Sequence, residues 1–449
     1  MMPPRAALMR FFGPTSTPLL NEETAPMIRR ALQRARMVGR FASVQVLVQA
    51  IGFISGILIV RYLTQREYAY FTIANTMQGT INMLADIGIS IGLVSIGGRV
   101  WQDRHRFGQL IATAQKLRFK LGGLALLVVT PILYLMLARN GASVGYAILI
   151  ILFMLGGLSV HFSLGVLSVV PRLRSDIALI QKIDLTGAAA RMLVLVACAF
   201  VFLNAGVAIL VGSASFFIQL WLTRRYVAGV IDMHASENED DRRAMVGFIK
   251  NQAANAIFYC IQGQITVFLI SFFGTRASSV AEVGALGRLA MIFTIVGQLL
   301  TNIFGPAFAR CQDPKKMRLQ YAGVVGAVLG LSILIFIAAA LFPDQVLFVL
   351  GKKYEHLHRE LILMVAGTVA NVMVGTLWVM NASKAWISFS WLYIPLTLAT
   401  QIALIPFTDF SSVSGLLIFN LFSTLPNLLV NIALSFWGFR SLRAQPVES

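Results

Sequence analysis

Six residues between Tyr68 and Gly98 offer the first chemistry in this chain. Thr72, Asn75, Gln78, Asn82, Asp86 and Ser90 recur at steps of three and four. At about 100° per residue they share one helical face. The stretch around them is apolar enough to cross a bilayer, and lipid cannot satisfy hydroxyl, amide or carboxylate groups. The face must therefore meet protein or water. Asp86 sharpens that requirement, because an ionisable group inside a membrane is expensive and commonly functional. Two readings fit a single stripe of this kind: the wall of an internal polar path, or hydrogen bonds that hold neighbouring helices together.

The rest of the chain defines what must position that face. Hydrophobic residues make up 57% of the sequence and charged residues 12%, far from a soluble composition. Apolar runs of roughly 20 residues recur along the whole length, each long enough to span ~30 Å of hydrocarbon. About twelve are legible: 41–62, 68–98, 121–139, 143–170, 184–203, 206–222, 251–273, 281–306, 320–342, 360–382, 386–406 and 411–438. The second, fourth, eighth and last exceed one span, so tilt or protrusion is expected. None consists of short alternating strands, which excludes a closed barrel. The predicted fold is an all-α polytopic membrane protein.

Basic residues set the orientation. With the N-terminus inside, the inward segments are 1–40, 99–120, 171–183, 223–250, 307–319, 383–385 and 439–449, and they hold 28 of the 37 Lys and Arg. Arg191 and Arg288 remain within spans, and Arg61 and Arg139 lie at span ends. An N-in, C-in arrangement follows. The net charge of +18 then belongs beside anionic inner-leaflet lipids, and a nucleic-acid partner has no soluble domain to bind.

Residues 1–26 lack the long apolar core of a cleavable signal peptide. The segment Met27–Arg40 reads as a short basic amphipathic helix at the inner surface. Cys198, Cys260 and Cys311 form no disulfide framework, and the histidines, His356 and His358 among them, form no metal motif. Neither metal nor cofactor is expected.

The most polar internal stretch, 223–250, is predicted to be a solvated inward linker between an N-lobe (41–222) and a C-lobe (251–438) of six spans each. Two halves of like orientation enclose a substrate site at their interface. Matching helices should then both carry polar faces. The first span has Gln45 and Gln49 with Gly52 and Gly56 on one side. The seventh has Asn251, Asn255, Tyr259, Gln262 and Thr266, and the eighth carries Arg288, Gln298 and Asn302. This agreement across four helices favours the cavity over simple helix association.

Several segments also resemble a known family. "VRYLTQREYAYF" (Val60–Phe71), the Asp-x-Gly stretch "LADIGIS" (Leu84–Ser90), "VAEVGALGRLAMI" (Val280–Ile292) and "LFVLGKKYEHLHRELILMVAG" (Leu347–Gly367) occur in matching order and spacing. Together they resemble the polysaccharide-transporter branch of the multidrug/oligosaccharidyl-lipid/polysaccharide (MOP) flippase superfamily. One departure is Ala285, where the family usually has tyrosine after the glycine.

The resemblance implies a translocator of lipid-linked oligosaccharide, often undecaprenyl-pyrophosphate sugars, in a bacterial inner membrane. It also implies that spans one, two, seven and eight line the cavity. Polysaccharide polymerase or glycosyltransferase machinery would be its partners, in a capsule, O-antigen (lipopolysaccharide) or exopolysaccharide pathway. A pyrophosphate head needs cations, and arginine can grip it with a planar fork. Arg288, Arg61 and Arg191 are the candidates, with Asn75, Gln78, Asn82, Gln45, Gln49, Asn255, Gln262 and Gln298 for the sugar. Arg61 and Arg191 have an alternative as interfacial snorkels. Glu282 stands six residues before Arg288, a poor helical spacing for a structural pair. Asp86 is the candidate for cation coupling, with the alternative that it orients an arginine and never titrates.

Two rival functions carry weight. A cation-coupled drug antiporter of the same superfamily would share the spans, but cationic residues outnumber carboxylates inside them. A membrane-embedded glycan polymerase would need an exposed catalytic loop. The outward connection at 343–359 is short and has no convincing carboxylate pair. No phosphate-cradling glycine loop supports an enzyme either.

Overall fold

The computed structural model describes residues 24–444 except 175, 275, 292, 294–295, 298–299, 301–303 and 312. Every regular element among the described residues is a helix. In chain order they are α1 (Thr24–Tyr62), α2 (Gln65–Ala85), α3 (Ile89–Val100), α4 (Arg104–Arg139), α5 (Val144–Leu167), α6 (Val169–Leu173), α7 (Ile177–Val201) and α8 (Ala205–Val230). After the mid-chain turn come α9 (Glu239–Phe273), α10 (Ala277–Ala290), α11 (Gly305–Arg310), α12 (Pro314–Leu341), α13 (Pro343–Leu350), α14 (His358–Ser383), α15 (Tyr393–Leu404) and α16 (Val413–Ala444).

Among the described residues ten helices are long and apolar enough to cross a bilayer, or eleven spans when the bent pair α2 and α3 is counted as one. The all-α polytopic fold is therefore as expected. The predicted eighth span begins as α10 and continues into residues outside the described set; every other predicted run has a counterpart. Helix starts follow local chemistry. Thr64, Asp103, Ser143, Asn204, Asn238 and Asp313 each accept a backbone N–H in the first turn of the helix they precede.

Three expectations are corrected. The second predicted span is not one rod: α2 and α3 meet at 45°. The Asp86 N–H closes α2 onto the carbonyls of Asn82 and Met83, and Gly88 takes φ +70°. A Cβ at Gly88 would lie 2.8 Å from the backbone of Phe248 and Ile249, so only glycine admits both the turn and the close pass of α9. Next, most of the predicted inward segment 99–120 is helix: α4 begins at Arg104 and runs unbroken through the rest of it, and the Arg118 side chain is only 6% exposed. The linker, finally, shrinks to 231–238, because Asn238 caps α9 and Glu239, Asp240 and Asp241 fill its first turn, where the helix dipole favours acids. Of the charge run, Asp241 is buried and pairs with Arg106, while Glu237, Glu239, Asp240, Arg242 and Arg243 stay exposed.

Helix α2 packs against α4, α5, α8, α9 and α10. One buried apolar cluster includes Ile73, Met77 and Ile81 of α2, Val280 and Leu286 of α10, and Leu361 of α14. The second span thus joins elements from both ends of the chain. A Cβ on Gly284 would overlap the Thr72 side chain, so this glycine sets how near α10 approaches α2.

Candidate functional site

Where α2, α9 and α10 converge, a cavity of about 300 Å³ opens. Tyr68, Thr72, Asn75 and Thr76 of α2 form one wall, and Gly263 and Thr266 of α9 another. Gly284, Gly287 and Arg288 of α10 form a third, with Met364, Leu417 and Asn420 completing the lining. Arg288 is the cation of this cavity. Its Nε donates to the Tyr68 hydroxyl at 3.4 Å, and its guanidinium carbon stands 5.6 Å from the centre of the Phe71 ring. A side chain at Gly56 of α1 would come within 3.2 Å of the Arg288 stem. Arg191 on α7 is half-buried and within electrostatic range of Arg288. Among the described residues, no carboxylate lies within 4.0 Å of either guanidinium. Glu282 faces His356 at 3.6 Å instead.

Two like charges in range of each other repel where solvent screening is weak, Arg288 inside the cavity and Arg191 outside its lining. Such a pair gains from an anion, above all one with several oxygens that a planar fork can grip.

Beyond Tyr68, the turn joining α1 and α2 is tied to the end of α13. Arg61 donates to the carbonyls of Phe348 (2.5 Å) and Val349 (2.9 Å), with its guanidinium 5.2 Å from the Phe348 ring. Lys353 donates to the carbonyls of Arg61 (2.9 Å) and Leu63 (2.5 Å), and Gln65 donates to the Lys353 carbonyl at 3.2 Å. Burial lowers the Lys353 ammonium from its ordinary value. Arg61 is thus engaged in this latch and does not line the cavity.

Asp86 lies ten residues, roughly 15 Å, further along α2 than Thr76. It stands at the break, where Arg118 donates to it at 2.9 Å and the Ser90 hydroxyl lies 2.8 Å from both its oxygens. The sequence reading missed Arg118 because the positive-inside tally counted it among inward cations.

The remaining predicted residues scatter. Asn75 lines the cavity, and Gln78 is half-buried next along its stripe. The Asn82 side-chain amide oxygen, Oδ1, is buried with no hydrogen-bond partner among the described residues. Asn255 is exposed on α9 and Gln49 half-buried on α1. Gln262 is taken by Gln401 of α15, the two amides exchanging bonds of 3.0 and 2.7 Å. Gln45 is half-buried in the amino-terminal unit that ends at Leu47, and Gln298 lies outside the described residues. Among the described residues no group of three metal-ligating side chains occurs. Thr266 is one of the polar positions read on the seventh span, and Tyr68 was legible inside the "EYAYF" run.

No protein-family model and no curated protein matches this sequence. Solved structures do. The chain is similar to the lipid II flippase MurJ in an inward closed conformation, with a TM-score of 0.69 and 10% identity over 89% of this chain and 88% of that one. It is also similar to an inward-facing multidrug-resistance MATE family transporter of the MOP superfamily, with a TM-score of 0.62 and 14% identity over 90% and 100% of the two chains. A MOP superfamily transporter from Pyrococcus furiosus gives 0.56 and 15% over 90% and 93%. The fold is the one these solved transporters share. At these identities it is the fold that is shared.

Proposed function

We propose that this chain is a flippase that moves a lipid-linked oligosaccharide between leaflets, and that it is a transporter rather than an enzyme. The observation that carries the reading is the cationic cavity: Arg288, with Arg191 in range and no carboxylate beside either among the described residues. A pyrophosphate and its sugars cannot cross hydrocarbon, because their polar groups would lose water without replacement. A groove that offers guanidinium and amide groups replaces that water while the lipid tail stays in the bilayer. The likeness to a lipid II flippase agrees with this chemistry.

The chain is read as two six-span lobes in a bacterial inner membrane, N-in and C-in, that rock about the site. The Arg61–Lys353 latch would then be the closed outer gate. Undecaprenyl-pyrophosphate glycan is the substrate, delivered by glycosyltransferases and consumed by a polymerase of a surface-polysaccharide pathway. Asp86 fits the orienting role better than the coupling role, since Arg118 and Ser90 already engage its oxygens.

The test is translocation in proteoliposomes. Outward movement of a fluorescent undecaprenyl-pyrophosphate oligosaccharide, absent from protein-free vesicles, supports the proposal. Inertness toward that lipid together with proton- or sodium-driven efflux of an organic cation would replace it with an antiporter.

A further inference from the structure

The wall that α9 gives the cavity does not stop at its edge. By helical geometry Asn255, Tyr259, Gly263 and Thr266 share one side of α9, and the last two line the cavity. The neighbouring side is occupied: Cys260 donates to the Thr80 carbonyl of α2 at 3.7 Å. Ile257 and Ile261, both exposed and apolar, fall on the opposite flank and suit lipid. Tyr259 is therefore on the polar flank and is 41% exposed. Its ring is also held in place. It stacks on the buried Tyr393 of α15 with centroids 5.5 Å apart and planes at 30°, and Phe258 meets both rings edge-on at 5.9 and 5.5 Å. One face of Tyr259 is covered by Tyr393, and the rest of the ring accounts for its exposure one to two turns along α9 from Gly263 and Thr266 of the cavity wall. Gln262 and Gln401 brace the same two helices one turn further on.

A fixed aromatic face with a negative quadrupole suits a ring whose faces present polarised C–H groups, while its edges carry hydroxyls for nearby amides. That describes a pyranose. Tyr259 stands seven residues from Thr266, roughly 10 Å along the helix, on the side of the cavity away from the latch. A glycan attached to an anion at Arg288 would run past it.

We infer that Tyr259, backed by Tyr393, is a stacking subsite for a sugar ring of the transported lipid. The inference rests on the flippase reading and adds to it the residue that distinguishes a glycan-bearing lipid from a bare one.

The test is binding of undecaprenyl pyrophosphate, with and without an attached oligosaccharide, to the full-length protein in detergent. Wild type should bind the glycan-bearing lipid more tightly by about tenfold. Tyr259→Phe should keep that preference, whereas Tyr259→Leu, which retains apolar bulk against Tyr393, should lose it and still bind the bare lipid as wild type does. Arg288→Ala should weaken both. Equal binding of the two lipids by wild type, or a preference that survives Tyr259→Leu, overturns the subsite and leaves the flippase intact. Failure of wild type to bind either lipid overturns both.

Discussion

Arg118 donates to the Asp86 carboxylate at 2.9 Å across the break between the two parts of the second span. The guanidinium is 6% exposed and the carboxylate 33%. Removing the acid strands a buried cation, whereas removing both charges does not. Asp86→Asn should therefore lower stability by about 2 kcal/mol, the modest side of such costs because Asp86 is partly solvated. Asp86→Leu combined with Arg118→Leu should recover part of the loss. Melting in detergent reads both, and equal losses in the single and double variants would argue against the pair.

Gly88 makes a second test. Its φ of +70° and the 2.8 Å approach of the α9 backbone leave no space for a side chain. Gly88→Ala should destabilise by more than about 1 kcal/mol, and Gly88→Val by more still. A neutral outcome would mean that the break can straighten without cost.

The latch predicts a conformational lock. Gln65 reaches the Lys353 carbonyl across the turn. In a background with Cys198 and Cys311 replaced by serine, Gln65→Cys with Lys353→Cys should form a disulfide that stops translocation, and reductant should restore it. Undiminished transport in the cross-linked protein would show that this end need not open.

Acid should loosen the mid-chain turn. The His105 ring, and then the His234 N–H, hold the Asp232 carboxyl below its ordinary 3.8. A carboxylate depressed in the folded state adds stability at neutral pH that disappears as pH falls through the carboxylate range. Between about pH 5 and about pH 3 the melting temperature of Asp232→Asn should fall less than that of wild type. Parallel curves would deny this carboxylate a part.

The spans and the polar stripe were legible because apolar length and a three-to-four repeat are properties of the chain alone. The break at Asp86 to Gly88 was present as a motif, but its geometry depends on where α9 passes. Arg118 was hidden for a different reason: a cation beside the predicted end of a span looks the same whether it meets headgroups or a carboxylate 32 positions earlier in the chain. Arg61 shows the converse. Its type suited phosphate, yet the carbonyls of Phe348 and Val349 at the end of α13 accept its hydrogen bonds. Amide pairs such as Gln262 with Gln401 are invisible to periodicity, since the partner lies 139 residues away.

In the proposed function, Arg288 grips the anionic head of the substrate. Translocation of the fluorescent pyrophosphate-linked oligosaccharide by Arg288→Ala, with expression and folding matched to wild type, tests it most directly. The rate should fall by about tenfold or more, as expected for loss of a hydrogen-bonded charge, and Arg288→Lys should recover part of it. A rate unchanged in Arg288→Ala would contradict the account.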